Sequence, residues 1–154
     1  MFMRTHLIAV GRMKSGPERE LYAHYSARLN PAPQLREVEE KRNLPAAKLK
    51  VREGELLLGA IPGGAHVVAL DEKGRKFGSQ AFAKYLGGWR DEGVNDVAFV
   101  IGGADGLDKA VIDRANLVLS LSDLTWPHML VRGLLAEQLY RANAILTGHP
   151  YHRE

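Results

Sequence analysis

The sequence predicts an α/β domain: a mostly parallel sheet of five to six strands with helices on both faces. Two observations predict it. Short apolar runs of strand length recur along the chain with amphipathic segments of helical spacing between them, which is the pattern of βαβ units with right-handed crossovers. One run, residues 65–71 (AHVVALD), is apolar on both faces except for His66, as buried parallel strands are. A chain of 154 residues has the size of a single domain spanning 1–154, large enough to bury on the order of 70% of its unfolded surface.

The elements follow in order. Residues 4–10 form a first strand ended by Gly11. Residues 16–29 (GPERELYAHYSARL) carry Pro17 in a first-turn position, acids at 18 and 20 and apolar residues Leu21, Tyr22, Tyr25 and Leu29 at helical spacing. Residues 35–39 alternate as a short strand. Helix formers run over 46–61, broken by Gly54 and terminated by Pro62 and its glycines. The strand at 65–71 should end in a polar loop at 72–78, and Ser79 should cap a helix over 80–91 with Phe82, Tyr85, Leu86 and Trp89 inward. Residues 97–128 (VAFVIGGADGLDKAVIDRANLVLSLSDLTWPH) hold two further strands, 97–101 and 117–121, around a helix at 107–115. A long helix over 127–146 and the tail TGHPYHRE close the chain.

Composition limits the chemistry. With no cysteine, a disulfide scaffold, a thiolate zinc site and a cysteine nucleophile are all excluded. No run is long enough for a signal-peptide core or a membrane span, so a soluble cytoplasmic protein is expected. The net charge of +3 permits a polyanionic partner, although a local patch matters more than the total.

Three strand ends converge as ligand loops: Leu70 with Asp71, Ile101 with Gly102 and Gly103, and residues 121–126. In an open α/β sheet, ligands bind beyond the carboxyl ends of strands. Gly102, Gly103 and Gly106 are spaced GGxxG, which is not the dinucleotide fingerprint, and no Walker sequence exists. A neutral or zwitterionic nucleoside-type ligand therefore fits better than a phosphate cradle. The tail offers His149, Tyr151, His152, Arg153 and Glu154 within six residues: a near-neutral base, an aromatic face, a guanidinium and a carboxylate. His149 and His152 lack the further ligand spacing of a zinc motif, so no metal is expected. His128 and Arg132 share one face of the last helix, and Glu137 and Arg141 form an i, i+4 pair. Trp89 and Trp126 are most simply core aromatics, and Trp126, inside a candidate loop, could instead line a pocket.

Leu70-Asp71, IGGADGL (101–107), SLSDLTWPHMLVR (120–132), EQLYRA (137–142), the terminal HPYHRE and the early VGRMK (10–14) and REGE (52–55) together resemble the RlmH family, SPOUT-class methyltransferases of large-subunit ribosomal RNA. The resemblance spans essentially the whole chain. It implies transfer of a methyl group from S-adenosyl-L-methionine to N3 of a pseudouridine in 23S rRNA of the assembled 70S ribosome, a homodimer with the tail of one subunit near the cofactor of the other, and a C-terminal trefoil knot. Carried over by position, the cofactor residues are Leu70, Gly102 with Gly103, and Leu121, Ser122, Asp123, Leu124, Thr125 and Trp126. The expected catalytic set is His152 and Glu137 as proton acceptor or positioning groups, Tyr151 for base stacking, and Arg153. Arg132, Arg141, His128 and His149 are expected at the RNA, with Arg132, Arg141 and Arg153 facing backbone phosphates. The other readings open at this point are a cofactor-binding α/β protein acting on another RNA position or on a small molecule, and a noncatalytic ribosome-associated factor.

Overall fold

A computed structural model describes residues 3–153; Glu154, the end of the tail motif, lies outside the described residues. The elements run β1 (Arg4–Val10), α1 (Pro17–Ser26), β2 (Gln34–Val38), α2 (Ala46–Ala60), β3 (His66–Lys76), α3 (Ser79–Asp91), β4 (Asp96–Ile101), α4 (Lys109–Arg114), β5 (Leu117–Ser120) and α5 (His128–Thr147). The five strands form one sheet in the order β2-β1-β4-β3-β5, and every pairing is parallel. Because side chains alternate across a strand, each strand feeds two cores. Leu7, Ala9, Val97, Phe99 and Ile101 pack with α1, α3 and α5 on one face, and Ile8, Val10, Val67, Ala69, Ala98 and Val100 pack with α2 and α4 on the other. Phe99 and Leu135 are fully buried, each stabilising the fold by about 1.5–3 kcal/mol. No helix among the described residues is long and apolar enough to cross a membrane.

Four local expectations are corrected. Gly54 does not break α2, which is continuous from Ala46 to Ala60. It is buried where α2 meets α4, and a Cβ there would stand 3.0 Å from the Cβ of Asp108, so the glycine serves close packing. β3 does not end at Asp71 but continues to Lys76 after a register shift, with Leu70 and then Arg75 opposite Leu119. Backbone pairing with β5 holds this polar stretch extended, and at Gly74 a Cβ would lie 2.7 Å from the carbonyl of Val118. Ser79 begins α3 instead of capping it, and its hydroxyl donates to Gln138 Oε1 on α5 at 2.9 Å. The helix expected at 107–115 is the shorter α4, capped by Asp108, whose carboxylate accepts from Ala110 N.

Candidate cofactor cavity and tail cluster

The crossovers of β3, β4 and β5 leave their carboxyl ends side by side, and a cavity of about 480 Å3 opens there. Leu70, Ile101, Leu107, Leu119, Leu121 and Val131 give it apolar walls, with Gly102 and Gly103 alongside. The glycine loop folds on itself: Gly106 N donates to Gly103 O at 3.1 Å, and Gly106 takes a left-handed φ of 81°, which glycine adopts without a Cβ penalty. Gly102 is required for close approach, since a Cβ there would sit 2.7 Å from the carbonyl carbon of Gly106. The loop after β5 is tied by Ser120 Oγ donating to Ser122 O at 2.9 Å and Leu124 N donating to Ser122 Oγ at 2.8 Å. Leu124 and Trp126 stay 66% and 39% exposed, so Trp126 is a cavity wall and not a core aromatic, whereas Trp89 is buried against His66 and Tyr85.

Of the nine residues expected at the cofactor, eight line this cavity. Asp123 does not: it is exposed and receives Lys76 Nζ at 2.6 Å. Asp71, Glu72, Asp105, Lys50, Lys73 and His128 complete the lining. Beside it, burial and then the charge of Asp105 push the Glu53 carboxyl above its ordinary value. Sequence reading passed over Lys50, Lys73, Glu72 and Asp105. Asp105 was visible inside the glycine loop, but nothing local to Lys50 links α2 to this end of the sheet.

A second cavity, of about 620 Å3, lies toward α1, α3 and α5. Leu119, Leu121 and Trp126 belong to both cavities. Three of the expected catalytic and RNA-binding residues, Glu137, Arg141 and Tyr151, line it, and His152 joins them through Arg141. Glu137 Oε1 accepts from Arg141 Nη2 at 2.6 Å, Arg141 Nε at 2.9 Å and the Tyr151 hydroxyl at 3.1 Å, and Oε2 accepts from Gln138 Nε2 at 3.0 Å. Arg141 also contacts His152 Nδ1 at 3.0 Å and lies over the Tyr151 ring, 4.8 Å from its centroid. Because a guanidinium only donates, Nδ1 accepts, and a neutral His152 carries its hydrogen on Nε2. Burial, followed by hydrogen bonding to Tyr25 and Glu137, pushes the Tyr151 phenol up to about 12.

The remaining expected residues lie apart from this set. His149 is exposed, and its Nδ1 accepts from Tyr151 N at 3.2 Å, closing the turn after α5. Arg153 is exposed. Arg132 is a correction. Instead of facing phosphate it is fully buried, donating to Glu37 Oε2 at 2.5 Å and to the carbonyls of Val10 and Gly11 at 3.1 and 2.9 Å. These orphan carbonyls at the end of β1 need a donor, and α5 packs over them. Burial raises Glu37, but hydrogen bonds from Arg132 and Met13 N outweigh it and hold the carboxyl below its ordinary value.

The family model described as "Predicted SPOUT methyltransferase" matches residues 3–152. The chain belongs to the SPOUT methyltransferase family. Among relatives of this SPOUT chain, "Ribosomal RNA large subunit methyltransferase H" of Paramagnetospirillum magneticum is 62% identical over 98% of this chain and 99% of the relative. The protein of that name from Rhodospirillum centenum is 55% identical over the same shares. A solved structure, a probable methylase family protein from Haemophilus influenzae, superposes with a TM-score of 0.57 at 12% identity, covering all of this chain and 72% of that one; that likeness is one of fold alone.

A SPOUT methyltransferase needs room for a nucleoside bearing a cationic sulfur, and the cavity fits one. Its apolar walls suit an adenine ring, glycines let the ligand reach backbone amides and carbonyls, and Asp71, Glu72 and Asp105 supply negative charge. No group of three or more His, Cys, Asp or Glu is placed to hold a metal among the described residues.

Proposed function

We propose that this chain transfers a methyl group from S-adenosylmethionine to N3 of a pseudouridine in large-subunit ribosomal RNA, acting in the cytoplasm on the assembled 70S ribosome as a homodimer. The observation that carries this reading is the pair of cavities on either side of residues 119–126, one apolar and glycine-lined, the other edged by Glu137, Arg141 and Tyr151. The 62% identity to a ribosomal RNA large subunit methyltransferase H over 98% of the chain supports it. The reading includes the trefoil threading of the C-terminal segment. It also includes approach of the tail of one subunit to the cofactor cavity of the other, since within one chain the wall at 119–126 stands between the two cavities.

When bound, S-adenosylmethionine supplies an electrophilic methyl group, so the chain must orient the reactants and manage one proton. The N3–H of pseudouridine lies between two carbonyls, and its loss spreads negative charge onto both oxygens. Burial and hydrogen bonding push the Tyr151 phenol up to about 12, which keeps it protonated near neutral pH. Tyr151 donates its one hydroxyl hydrogen to Glu137 and offers its ring face to the base, and the Arg141 guanidinium is the charge that stabilises the N3 anion. Glu137, with Oε1 filled by donors from Arg141 and Tyr151, positions them. His152, whose Nδ1 faces Arg141, and Glu137 are the groups placed to accept the N3 proton. Methyl transfer to 70S particles and cofactor calorimetry test these roles together. Removing residues 149–154 should abolish transfer and leave cofactor affinity unchanged; transfer that survives the truncation would sink the tail assignment. Equal rates on deproteinised RNA and on 70S particles would overturn the assembled substrate, and mass-spectrometric mapping in a deletion strain fixes the nucleotide.

A further inference from the structure

We propose that the carboxyl-end rim of the sheet, formed by Arg12, Lys14, Lys41, Lys48, Lys50 and Lys73, is a surface that contacts the backbone phosphates of the RNA; this rests on the reading of ribosomal RNA as substrate. The parallel sheet brings the six together from three distant segments. Arg12 and Lys14 follow β1, Lys41 follows β2, Lys48 and Lys50 occupy the first two turns of α2, and Lys73 lies in the shift within β3. Lys50 and Lys73 also line the cofactor cavity. Met13 N donates to Glu37 Oε2 at 2.7 Å, which fixes the loop carrying Arg12 and Lys14 to the end of β2.

None of the six side chains makes a hydrogen bond or salt bridge among the described residues, although Arg12 lies near enough to Glu37 to help lower its carboxyl, and all but the half-buried Lys50 are exposed. The acid nearest Lys41 in sequence, Glu40, is occupied. Arg42 and Arg52 hold its carboxyl down to about 2, with hydrogen bonds of 3.0 and 2.9 Å. Elsewhere Arg4 pairs with Asp96, Arg90 with Asp91 and Lys109 with Asp113. Helix α1 begins with Glu18 and Glu20, as the helix dipole favours, whereas α2 begins without an acid or a side-chain cap. Lysines in those turns oppose the dipole and favour a nearby anion. Six charges, five of them exposed, spread over separate segments form no enclosed site for a small anion. They suit the spaced phosphates of a polynucleotide, setting its register without reading sequence.

Each phosphate contact removed should lower the slope of log binding constant against log salt by about 0.7–0.9. Lys41→Ala/Lys48→Ala, away from the cavity, is therefore expected to reduce that slope by about 1.4–1.8. At moderate salt it should raise KM for ribosomal particles about tenfold or more, with kcat and cofactor affinity unchanged. Its loss of affinity for protein-free rRNA should match that for particles. Arg28→Ala/Lys84→Ala removes the same charge away from the rim and should leave the slope in place. The proposal is overturned if both pairs lower the slope equally, if the rim pair changes neither slope nor KM, or if the loss occurs on particles alone, which would assign the rim to an acidic protein. If the unaltered protein neither binds nor methylates the particles, the ribosomal reading itself fails and the rim with it; methylation that ignores the rim substitutions removes the rim alone.

Discussion

The two ends of the sheet use the same residue types in opposite ways. At the amino ends of the strands, charge is consumed internally: Arg4 Nε and Nη2 both donate to Asp96 at 2.8 Å, His6 lies 2.9 Å from the same carboxylate, and Arg114 donates to Ala65 O at 3.1 Å. At the carboxyl ends several cations, Lys41, Lys48, Lys50 and Lys73 among them, make no salt bridge among the described residues, the backbone turns on glycines, and Leu124 and Trp126 are left in solvent. One end is built to hold the strands together, the other to be completed by something else. A parallel sheet makes this division available because every strand ends on the same side.

Arg132 breaks the division most sharply, being a structural cation at the ligand end. Arg132→Ala strands the Glu37 carboxylate and two strand-end carbonyls, and should destabilise the fold by about 3–5 kcal/mol in denaturant unfolding. A loss of RNA affinity with unchanged stability would return Arg132 to the interface. Gly102→Ala comes next. The added methyl must displace the Gly106 backbone, so cofactor affinity should fall about tenfold or more and stability by about 1–3 kcal/mol, read by calorimetry and thermal melting. Tyr151→Phe removes a donor to Glu137 without disturbing the core. Methyl transfer should fall about tenfold, equivalent to about 1.4 kcal/mol, with cofactor affinity unchanged. An equal loss of cofactor affinity would move Tyr151 into the cofactor cavity.

The smallest effect belongs to the amino end. Hydrogen bonds from Arg4 and then His6 hold Asp96 down to about 2. A carboxyl depressed in the folded state stabilises above its ordinary pKa of about 4 and loses that contribution as pH falls toward 2. Asp96→Asn should therefore flatten the acid limb of the stability–pH curve and leave methyl transfer at neutral pH intact. An unchanged acid limb would show this pair to be screened by solvent.

Much of the architecture is readable from pattern because buried parallel strands need apolar runs and crossovers need amphipathic helices. The boundaries of β4 and α5 follow directly from residues 97–101 and 127–146. The extension of β3 through Glu72 to Lys76 is hidden, since a polar stretch held extended by Leu119 and Ser120 has no local signature. Gly54 misleads for a related reason: the neighbour that requires it, Asp108, is 54 residues away. Arg132 looks like a surface residue on α5, because the carbonyls it satisfies belong to β1 and its acid to β2. The cofactor loops are legible as glycine-broken strand ends, whereas the basic rim is scattered through segments unremarkable one by one.

Leu119, Leu121 and Trp126 form a single partition with a cavity on each side. A ligand that shifted this partition on one side would change the space offered on the other, and the occupancy of the two sides would then be linked. Linkage is reciprocal: whatever factor the methyl donor contributes to RNA affinity, the RNA must return to the donor. Donor affinity measured with and without RNA bound reads that factor directly.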